Sequence, residues 1–377
     1  MTRYVFSSHD GFGLGHVRRN TLIAAALLQS EPDAQITLVT GVVMKPKWLI
    51  DDRIRFVTVP PMLKDGDGAY RHHTMSFESA IAVRERVFAE TVRCVEPDVV
   101  VVDRHPFGIA GELRLGLDIA RQAGAYLALG LRDILDERSC VEEELAGPGW
   151  AGVADVYDRA LVYGERVLCD HVSEYGLPLR PEYCGWVVDP PAVVRRDRNL
   201  LVVAAGGGGD GEEVFRLGVD VLKRLRDRRG VLIAGPYAAK LADPGLGDRV
   251  QIVRDAAGCS SWFAGAGSVV QMAGYNSTFE SLAAGIRPVL VPRRSPRREQ
   301  AVRATRLAAF GLADVVDPGA SAEEVAWLLR RPRLVGASEL DAVGIKLDGA
   351  QRAAATLAAH ALPRCAGVPG DNQLAMR

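Results

Sequence analysis

Short apolar runs alternate with longer amphipathic segments along the first half of the chain. The apolar runs predict strands near residues 3 to 7, 35 to 40, 54 to 59, 98 to 102, 125 to 130 and 159 to 163. Apolar positions at helical spacing predict helices over residues 17 to 29, 77 to 94 and 110 to 123. Strands that alternate with helices are typical of a parallel sheet covered by helices on both faces.

The same alternation starts again near residue 199. It predicts strands near 200 to 205, 231 to 234, 249 to 253, 268 to 272 and 288 to 292, with helices at 212 to 228, 276 to 284 and 299 to 311. The segment between the halves combines two prolines with a cluster of charges, as linkers do. The sequence therefore predicts an α/β protein with two tandem, doubly wound, Rossmann-like domains that face a central cleft. We expect them at residues 1–188 and 199–362, joined by a linker at 189–198 and followed by a flexible tail at 363–377.

Composition narrows the class of protein. Hydrophobic residues make up 48% of the 377 residues and charged residues 25%, which is typical of a folded globular protein. The net charge of −1 disfavours a protein that binds nucleic acid over its whole surface. The six cysteines include no C-x-x-C pair, so neither a zinc ribbon nor a dense disulfide framework is indicated.

The hydropathy of the chain bears on location. Polar residues at the N-terminus interrupt the apolar run that a signal peptide needs, and no run approaches the roughly 18 apolar residues of a membrane span. We therefore expect a cytoplasmic protein without a transmembrane segment, and peripheral membrane contact stays open.

A glycine-rich loop at residues 11 to 15 follows the first predicted strand and opens the first helix. Free amides and the helix dipole at such a position suit an anion. The G-x-G-x-G spacing differs from the dinucleotide fingerprint, and no Gly-Lys-Ser/Thr follows as a P-loop requires. His16 lies at the mouth of this helix, where a neutral imidazole could accept a proton from a bound hydroxyl. The alternative is a histidine that only caps or packs.

Asp103 ends the fourth predicted strand, at the same sheet edge as His16. A carboxylate bonded to the imidazole would fix its tautomer and stabilise the imidazolium that forms. The alternative is a helix cap or an arginine partner.

A second loop contains four consecutive glycines at residues 206 to 209, between a strand and a helix. This arrangement suits a phosphate group. The next predicted strand ends in Gly235 and Pro236 rather than in an acid, which disfavours a dinucleotide.

Polar side chains also mark the helix that follows Gly274. Its first turns carry Asn276, Ser277, Thr278 and Glu280. Hydroxyl and amide groups at a helix start suit phosphate oxygens, and a carboxylate one turn further suits a sugar diol. An ordinary N-cap followed by an acid is the alternative.

Six arginines lie between residues 293 and 306, around Glu299 and Gln300. A proline-braced loop with these side chains fits a small polyanion with hydroxyl groups better than an extended nucleic-acid backbone. The D-x-D at Asp65 and Asp67 is interpreted as a turn, since a calcium loop would need glutamate where Ser76 stands.

Together these motifs resemble GT-B glycosyltransferases, in particular the branch that contains the bacterial N-acetylglucosaminyltransferase of peptidoglycan synthesis. The likeness is carried by the glycine-rich loop ending in His16, by Gly-Tyr-Asn-Ser-Thr-x-Glu at 274 to 280, and by Pro292, which six residues separate from Glu299 and Gln300. It spans nearly the whole chain. The N-terminal loop departs from the G-G-T-G-G-H of the peptidoglycan enzyme, so the acceptor is not carried over.

The resemblance implies an inverting, metal-independent transfer of a sugar from a nucleoside diphosphate donor, with UDP favoured. The acceptor would be a hydroxyl of a small molecule such as a nucleoside or natural product, and no cofactor is implied. Alternatives are transfer to a polyprenyl-linked saccharide, a nucleotide-sugar 2-epimerase, and a non-catalytic nucleotide-sugar-binding protein.

The resemblance also implies roles for individual residues. His16 would be the base and Asp103 its partner, with His9 and Asp10 as an alternative base. The donor-binding residues would be Gly207, Gly208, Gly209, Gly274, Asn276, Ser277, Thr278, Glu280, Glu299 and Gln300. The acceptor-side residues would be His9, Asp10, Gly13, Gly15 and Arg132.

Overall fold

The computed structural model describes residues 1–9, 14–42, 52–64, 69–189, 191, 193–205, 211–235, 243–254, 258–295 and 297–361. Several predicted features lie outside the described residues: Asp10, Gly13, Asp65, Asp67, the glycines at 206 to 209 and the segment 363–377.

A seven-stranded parallel sheet forms the first half. Its strands are β1 (Arg3–Ser8), β2 (Gln35–Thr40), β3 (Ile54–Thr58), β6 (Val99–Asp103), β7 (Tyr126–Arg132), β8 (Arg159–Tyr163) and β9 (Pro181–Tyr183). The order across the sheet is β3-β2-β1-β6-β7-β8-β9. A short antiparallel hairpin of β4 (Leu63–Lys64) and β5 (Tyr70–Arg71) lies beside it in the sequence.

The helices of this half are α1 (Gly15–Ser30), α2 (Phe77–Val95), α3 (Arg114–Gln122), α4 (Arg138–Ala146), α5 (Val153–Val156) and α6 (His171–Tyr175). The helix predicted over 110 to 123 begins only at residue 114. Gly108 and Gly111 before it have φ angles of +87° and +93°, which are incompatible with a helix.

A six-stranded parallel sheet forms the second half. Its strands are β10 (Asp197–Ala204), β11 (Arg229–Ala234), β12 (Val250–Arg254), β13 (Ala266–Gln271), β14 (Val289–Leu290) and β15 (Asp314–Val315), in the order β12-β11-β10-β13-β14-β15. The helices are α7 (Glu212–Arg224), α8 (Ser260–Gly265), α9 (Tyr275–Ala283), α10 (Glu299–Ala309), α11 (Ala322–Leu328), α12 (Ala337–Ala342) and α13 (Gly349–His360).

Strand β10 shows how the second sheet is covered on both faces. Leu201 and Val203 belong to one apolar core, and Val202 and Ala204 belong to another. Successive side chains of a strand point to opposite faces, so the two cores lie on the two faces of one sheet. The predicted fold class, two Rossmann-like units with parallel sheets, is confirmed.

The last described helix, α13, packs against α1 of the first half. Its buried residues Ala350, Ala353, Ala354 and Leu357 form one helical face. The ring of His360 stacks on Tyr126 of β7 at a centroid distance of 4.4 Å. The chain therefore returns to the first sheet after it completes the second, and the exact division into domains remains a prediction.

None of the helices in the described ranges combines the length and the hydropathy needed to cross a membrane.

Candidate active site

The site begins at the carboxyl edge of the first sheet, where α1 starts. His16 is the second residue of α1, and Asp103 is the last residue of β6. The Nδ1 atom of His16 lies 3.0 Å from Oδ2 of Asp103. The histidine side chain is 17% exposed and the aspartate side chain 1% exposed, so the pair has one accessible member.

Arg19 is a third member of this group, one helical turn after His16. Its Nη2 donates to both carboxylate oxygens of Asp103 at 2.7 Å and lies 3.1 Å from Nδ1 of His16. The guanidinium group is also 5.0 Å from the ring of Tyr163 and 5.3 Å from the ring of Tyr275. Asp103 is therefore held by a buried cation as well as by the histidine.

Burial and neighbouring charges set the protonation states. Burial by itself raises the pKa of Asp103, but Arg19 and His16 outweigh it and hold that pKa well below its usual range. Burial lowers the pKa of His16 and Arg19 lowers it further, while Asp103 raises it. At neutral pH, Asp103 is ionised and His16 is neutral. With its proton on Nδ1, His16 donates to Asp103 and keeps a lone pair on Nε2, as a general base requires.

Two further histidines lie beside His16. The ring of His9, which follows β1, is 5.5 Å from the ring of His16 and 4.6 Å from the ring of His105. The Nε2 atom of His9 lies 3.2 Å from the hydroxyl of Tyr70. Burial lowers the pKa of His9 well below its ordinary value, and His16 and Arg104 lower it further. These histidines are neutral polar groups at neutral pH.

The first turn of α9 approaches the first turn of α1 from the second half. The Nδ2 atom of Asn276 lies 3.5 Å from the carbonyl oxygen of Gly15. A Cβ atom at Gly15 would lie 3.3 Å from that nitrogen, so glycine permits the close approach. Neither N-cap residue, Leu14 or Gly274, uses a side chain to bond the first amides of its helix. Two positive helix ends therefore meet beside His16.

Glu280 lies one turn further along α9 and is 3% exposed. Its Oε1 forms an ion pair with Nη2 of Arg18 at 3.0 Å, and its Oε2 accepts from the amide of Cys259 at 3.3 Å. Burial raises the pKa of Glu280, and Arg18 opposes the rise. A ribose that binds Glu280 must share or displace the Arg18 guanidinium.

Glu299 and Gln300 begin α10 and are both buried. Glu299 pairs with Arg293 through Oε1, which is also 4.0 Å from Nη1 of Arg132 at the end of β7. Burial by itself raises the pKa of Glu299, but Arg132 and Arg293 outweigh it and lower the pKa. Gln300 accepts from the amide of Arg293 through Oε1.

A buried ion pair joins the two halves behind these residues. Arg303 of α10 donates from Nε and Nη2 to the two carboxylate oxygens of Asp133, at 2.8 and 2.7 Å. Arg303 also donates to the carbonyl of Ala273 at 2.8 Å, and the indole of Trp186 donates to Asp133 at 3.1 Å. The pair fixes α10 against the end of β7.

The structure thus places in one region the predicted site residues that it describes, but some of them are buried. His16, Asp103, His9, Arg132 and Glu299 meet at the carboxyl edge of the first sheet. Thr278 is fully buried, and Ser277 is 8% exposed. Within the described ranges, no three His, Cys, Asp or Glu side chains are grouped as metal ligands.

Sequence reasoning missed Arg19, His105 and the pair of Asp133 and Arg303. A signal existed for Arg19, because residues three apart share a helix face and His16 precedes it by three. His105 follows Asp103 at a strand end, where loop residues line a sheet edge.

Solved structures share this architecture along the full length of the chain. A crystal structure of the glycotransferase of kitacinnamycin superposes with a TM-score of 0.65 and 16% identity, covering 96% of this chain and 99% of that one. The chain has the GT-B fold.

Two other GT-B structures extend the comparison. MurG of Acinetobacter baumannii gives a TM-score of 0.59 at 15% identity, covering 95% of this chain and 100% of that one. UGT89C1 of Arabidopsis thaliana, complexed with UDP-L-rhamnose, gives a TM-score of 0.60 at 12% identity, covering 96% of this chain and 99% of that one. No family pattern matches the sequence, and no curated protein matches it in sequence. The GT-B fold is therefore shared with these proteins at low sequence identity.

Proposed function

We propose that the protein is an inverting glycosyltransferase that needs no metal ion and moves a sugar from a nucleoside diphosphate donor to a hydroxyl of a small molecule. The observation that carries the proposal is the contact of His16 with Asp103 at the start of α1, opposite the start of α9. A base and an anion-binding helix end then lie on the two sides of one reacting centre.

In this mechanism, Nε2 of His16 accepts the proton of the acceptor hydroxyl as its oxygen attacks the anomeric carbon of the donor sugar. The bond from that carbon to the diphosphate oxygen breaks, and the diphosphate leaves with the electron pair. Asp103 stabilises the imidazolium that forms. The amides at the starts of α1 and α9 stabilise the charge on the leaving diphosphate.

The choice of UDP as the donor nucleotide rests on similarity. UGT89C1, which shares the fold, is complexed with UDP-L-rhamnose. The choice of a small-molecule acceptor follows from the kitacinnamycin and calicheamicin glycosyltransferases, whose names refer to natural products.

The experiment separates donor binding from catalysis. UDP-, GDP- and dTDP-sugars are screened by thermal shift, and the donor that binds is incubated with a panel of hydroxylated acceptors. We expect His16→Ala to retain donor binding and to lower kcat by about 10²- to 10⁴-fold, because it removes the base. The exposed His73→Ala is the matched control and keeps full activity.

Three results would contradict the proposal. Turnover that is equal in His16→Ala and the wild type removes the histidine from the mechanism. A 2-epimer of the donor formed without any acceptor indicates an epimerase, and binding without turnover on any acceptor indicates a non-catalytic protein.

A further inference from the structure

Three arginines from separate elements lie together beside the proposed reacting centre. Arg104 directly follows β6, Arg132 ends β7, and Arg297 precedes α10. We call these three residues the arginine cluster. The ring of His105 lies 4.6 Å from the ring of His9. Burial lowers the pKa of His105, and His9, Arg104 and Arg297 lower it further.

The carboxylates near the cluster are shared among several cations. Nη2 of Arg104 donates to Oε2 of Glu144 at 3.0 Å, and Nη1 of Arg297 lies 3.9 Å from the same oxygen and 3.9 Å from Oδ2 of Asp136. The nearest carboxylate to Arg132 is Oε1 of Glu299 at 4.0 Å, an atom that Arg293 also holds. These three arginines and Arg293 share three carboxylates, those of Asp136, Glu144 and Glu299, so the charge of the arginines is incompletely neutralised.

The cluster also contains donors without an acceptor. Nη1 of Arg104 and Nε of Arg132 are buried, and neither has a hydrogen-bond partner in the described part of the chain. Burial lowers the pKa of Arg132 to about 10, and Arg104 and Arg303 lower it too. Leaving such donors unsatisfied is costly, so an acceptor supplied by a ligand would stabilise this arrangement.

The backbone conformation of Arg104 also indicates a binding site. Its φ angle is +79°, in the left-handed region that residues other than glycine rarely adopt. Such strain destabilises the fold locally and concentrates at binding sites. Arg104 is only 3% exposed.

We propose that the arginine cluster is an anion-binding subsite, and that one of the two substrates places there a carboxylate or phosphate group other than the diphosphate of the donor. That the anion belongs to a substrate rests on the proposed function, whereas anion binding by the cluster does not require catalysis. An acceptor with its hydroxyl at His16 would reach the cluster past His9 and His105. A donor sugar beside Glu299 would reach it at Arg132.

The first test measures simple anions. Binding of D-glucuronate and of inorganic phosphate is measured by calorimetry at constant ionic strength, with D-glucose as the neutral control. We expect both anions to bind the wild type and to bind at least about tenfold more weakly to Arg132→Gln and Arg297→Gln. The Arg297 side chain is 31% exposed, so its variant tests the cluster without opening the core.

Arg138→Gln is the matched control, since that side chain is 69% exposed and lies on α4. Equal anion binding in the wild type and all three variants would overturn the proposal, and so would equal binding of glucose.

The second test identifies which substrate carries the anion. A preference for UDP-glucuronate over UDP-glucose that Arg132→Gln abolishes assigns the group to the donor. Equal binding of both donors, with phosphate still bound to the UDP-saturated protein, assigns it to the acceptor. If saturating UDP abolishes phosphate binding and the donors bind equally, the cluster holds only the diphosphate and the proposal is wrong.

These experiments also separate the two proposals. A protein that does not bind any nucleotide sugar but binds phosphate through the arginine cluster contradicts the proposed function and leaves the subsite intact. A protein that binds UDP but neither glucuronate nor phosphate contradicts the subsite and leaves the proposed function intact.

Discussion

Arg19 gives the proposed base a property that the pair of His16 and Asp103 alone would lack. The guanidinium lowers the pKa of Asp103 and also lowers that of His16. Removing it in Arg19→Gln leaves Asp103 as the nearest charge to the imidazole, so the pKa of His16 rises. The acid limb of kcat/KM against pH then moves to higher pH, because the base must be neutral to act.

The pH profile distinguishes this role from simple packing. A variant that only loosened the fold would lower the rate without moving the limb. The exposed Arg86→Gln serves as control and keeps the wild-type profile. An unmoved limb in Arg19→Gln would show that the guanidinium does not tune the base.

At this scale the sequence predicts strand ends well and side-chain partners poorly. Asp103 was expected at the sheet edge because parallel strands end there together. The bonds that Arg19 makes to Asp103 depend on how α1 lies on the sheet, which periodicity does not specify. The position of Arg18 on Glu280 depends on how the two halves approach each other.

Helix α9 carries Glu280, the residue proposed to bind the ribose. Glu280 is expected to accept hydrogen bonds from the ribose of the donor, so the wild type should prefer UDP over 2′-deoxy-UDP. A hydrogen bond to a charged group contributes about 1.5–3 kcal/mol, which corresponds to a preference of about tenfold or more. Glu280→Gln should weaken UDP binding and reduce the preference, as measured by calorimetry.

The matched control is Glu324→Gln, an exposed acid on α11. A preference for UDP that survives in Glu280→Gln would place the ribose elsewhere. Arg18 would then be the partner that accounts for the burial of Glu280.

Most of the longer elements were predicted, and most of the short ones were missed. The strands β1, β2, β6 and β13 lie within a few residues of their predicted positions, because buried parallel strands form continuous apolar runs. The hairpin of β4 and β5 and the helices α5 and α6 are too short to show a period. Helix α13 was missed because alanines dominate its buried face, and they contrast weakly with their polar neighbours.

The ion pair of Asp133 and Arg303 acts at the scale of the whole molecule, since it joins the two halves. Arg303→Met leaves a buried carboxylate without its partner, which should lower the free energy of unfolding by about 3–5 kcal/mol. Urea denaturation at pH 7 measures this loss. Arg138→Met, at an exposed i,i+4 pair, should leave the free energy of unfolding nearly unchanged.

The loss should depend on pH in a defined direction. Burial by itself raises the pKa of Asp133, but Arg303 and the hydrogen bonds to it outweigh burial and lower the pKa in the folded state. Its contribution to stability is therefore fully present above the unfolded pKa of about 3.9 and is lost as the pH falls through the folded pKa. A gap between wild type and Arg303→Met that widened on acidification would contradict this assignment.

The return of α13 to the first sheet has a consequence for the order of synthesis. Helix α1 is made early, yet the surface that covers it includes Ala353 and Leu357, which are made more than three hundred residues later. Arg352 likewise donates to Glu165 and to the carbonyl of Tyr183. While the chain is still emerging, the first half exposes an apolar strip that α13 covers in the folded protein. A nascent chain paused between the halves would therefore present that strip to chaperones, and a fragment cut at the linker would lack part of its own core.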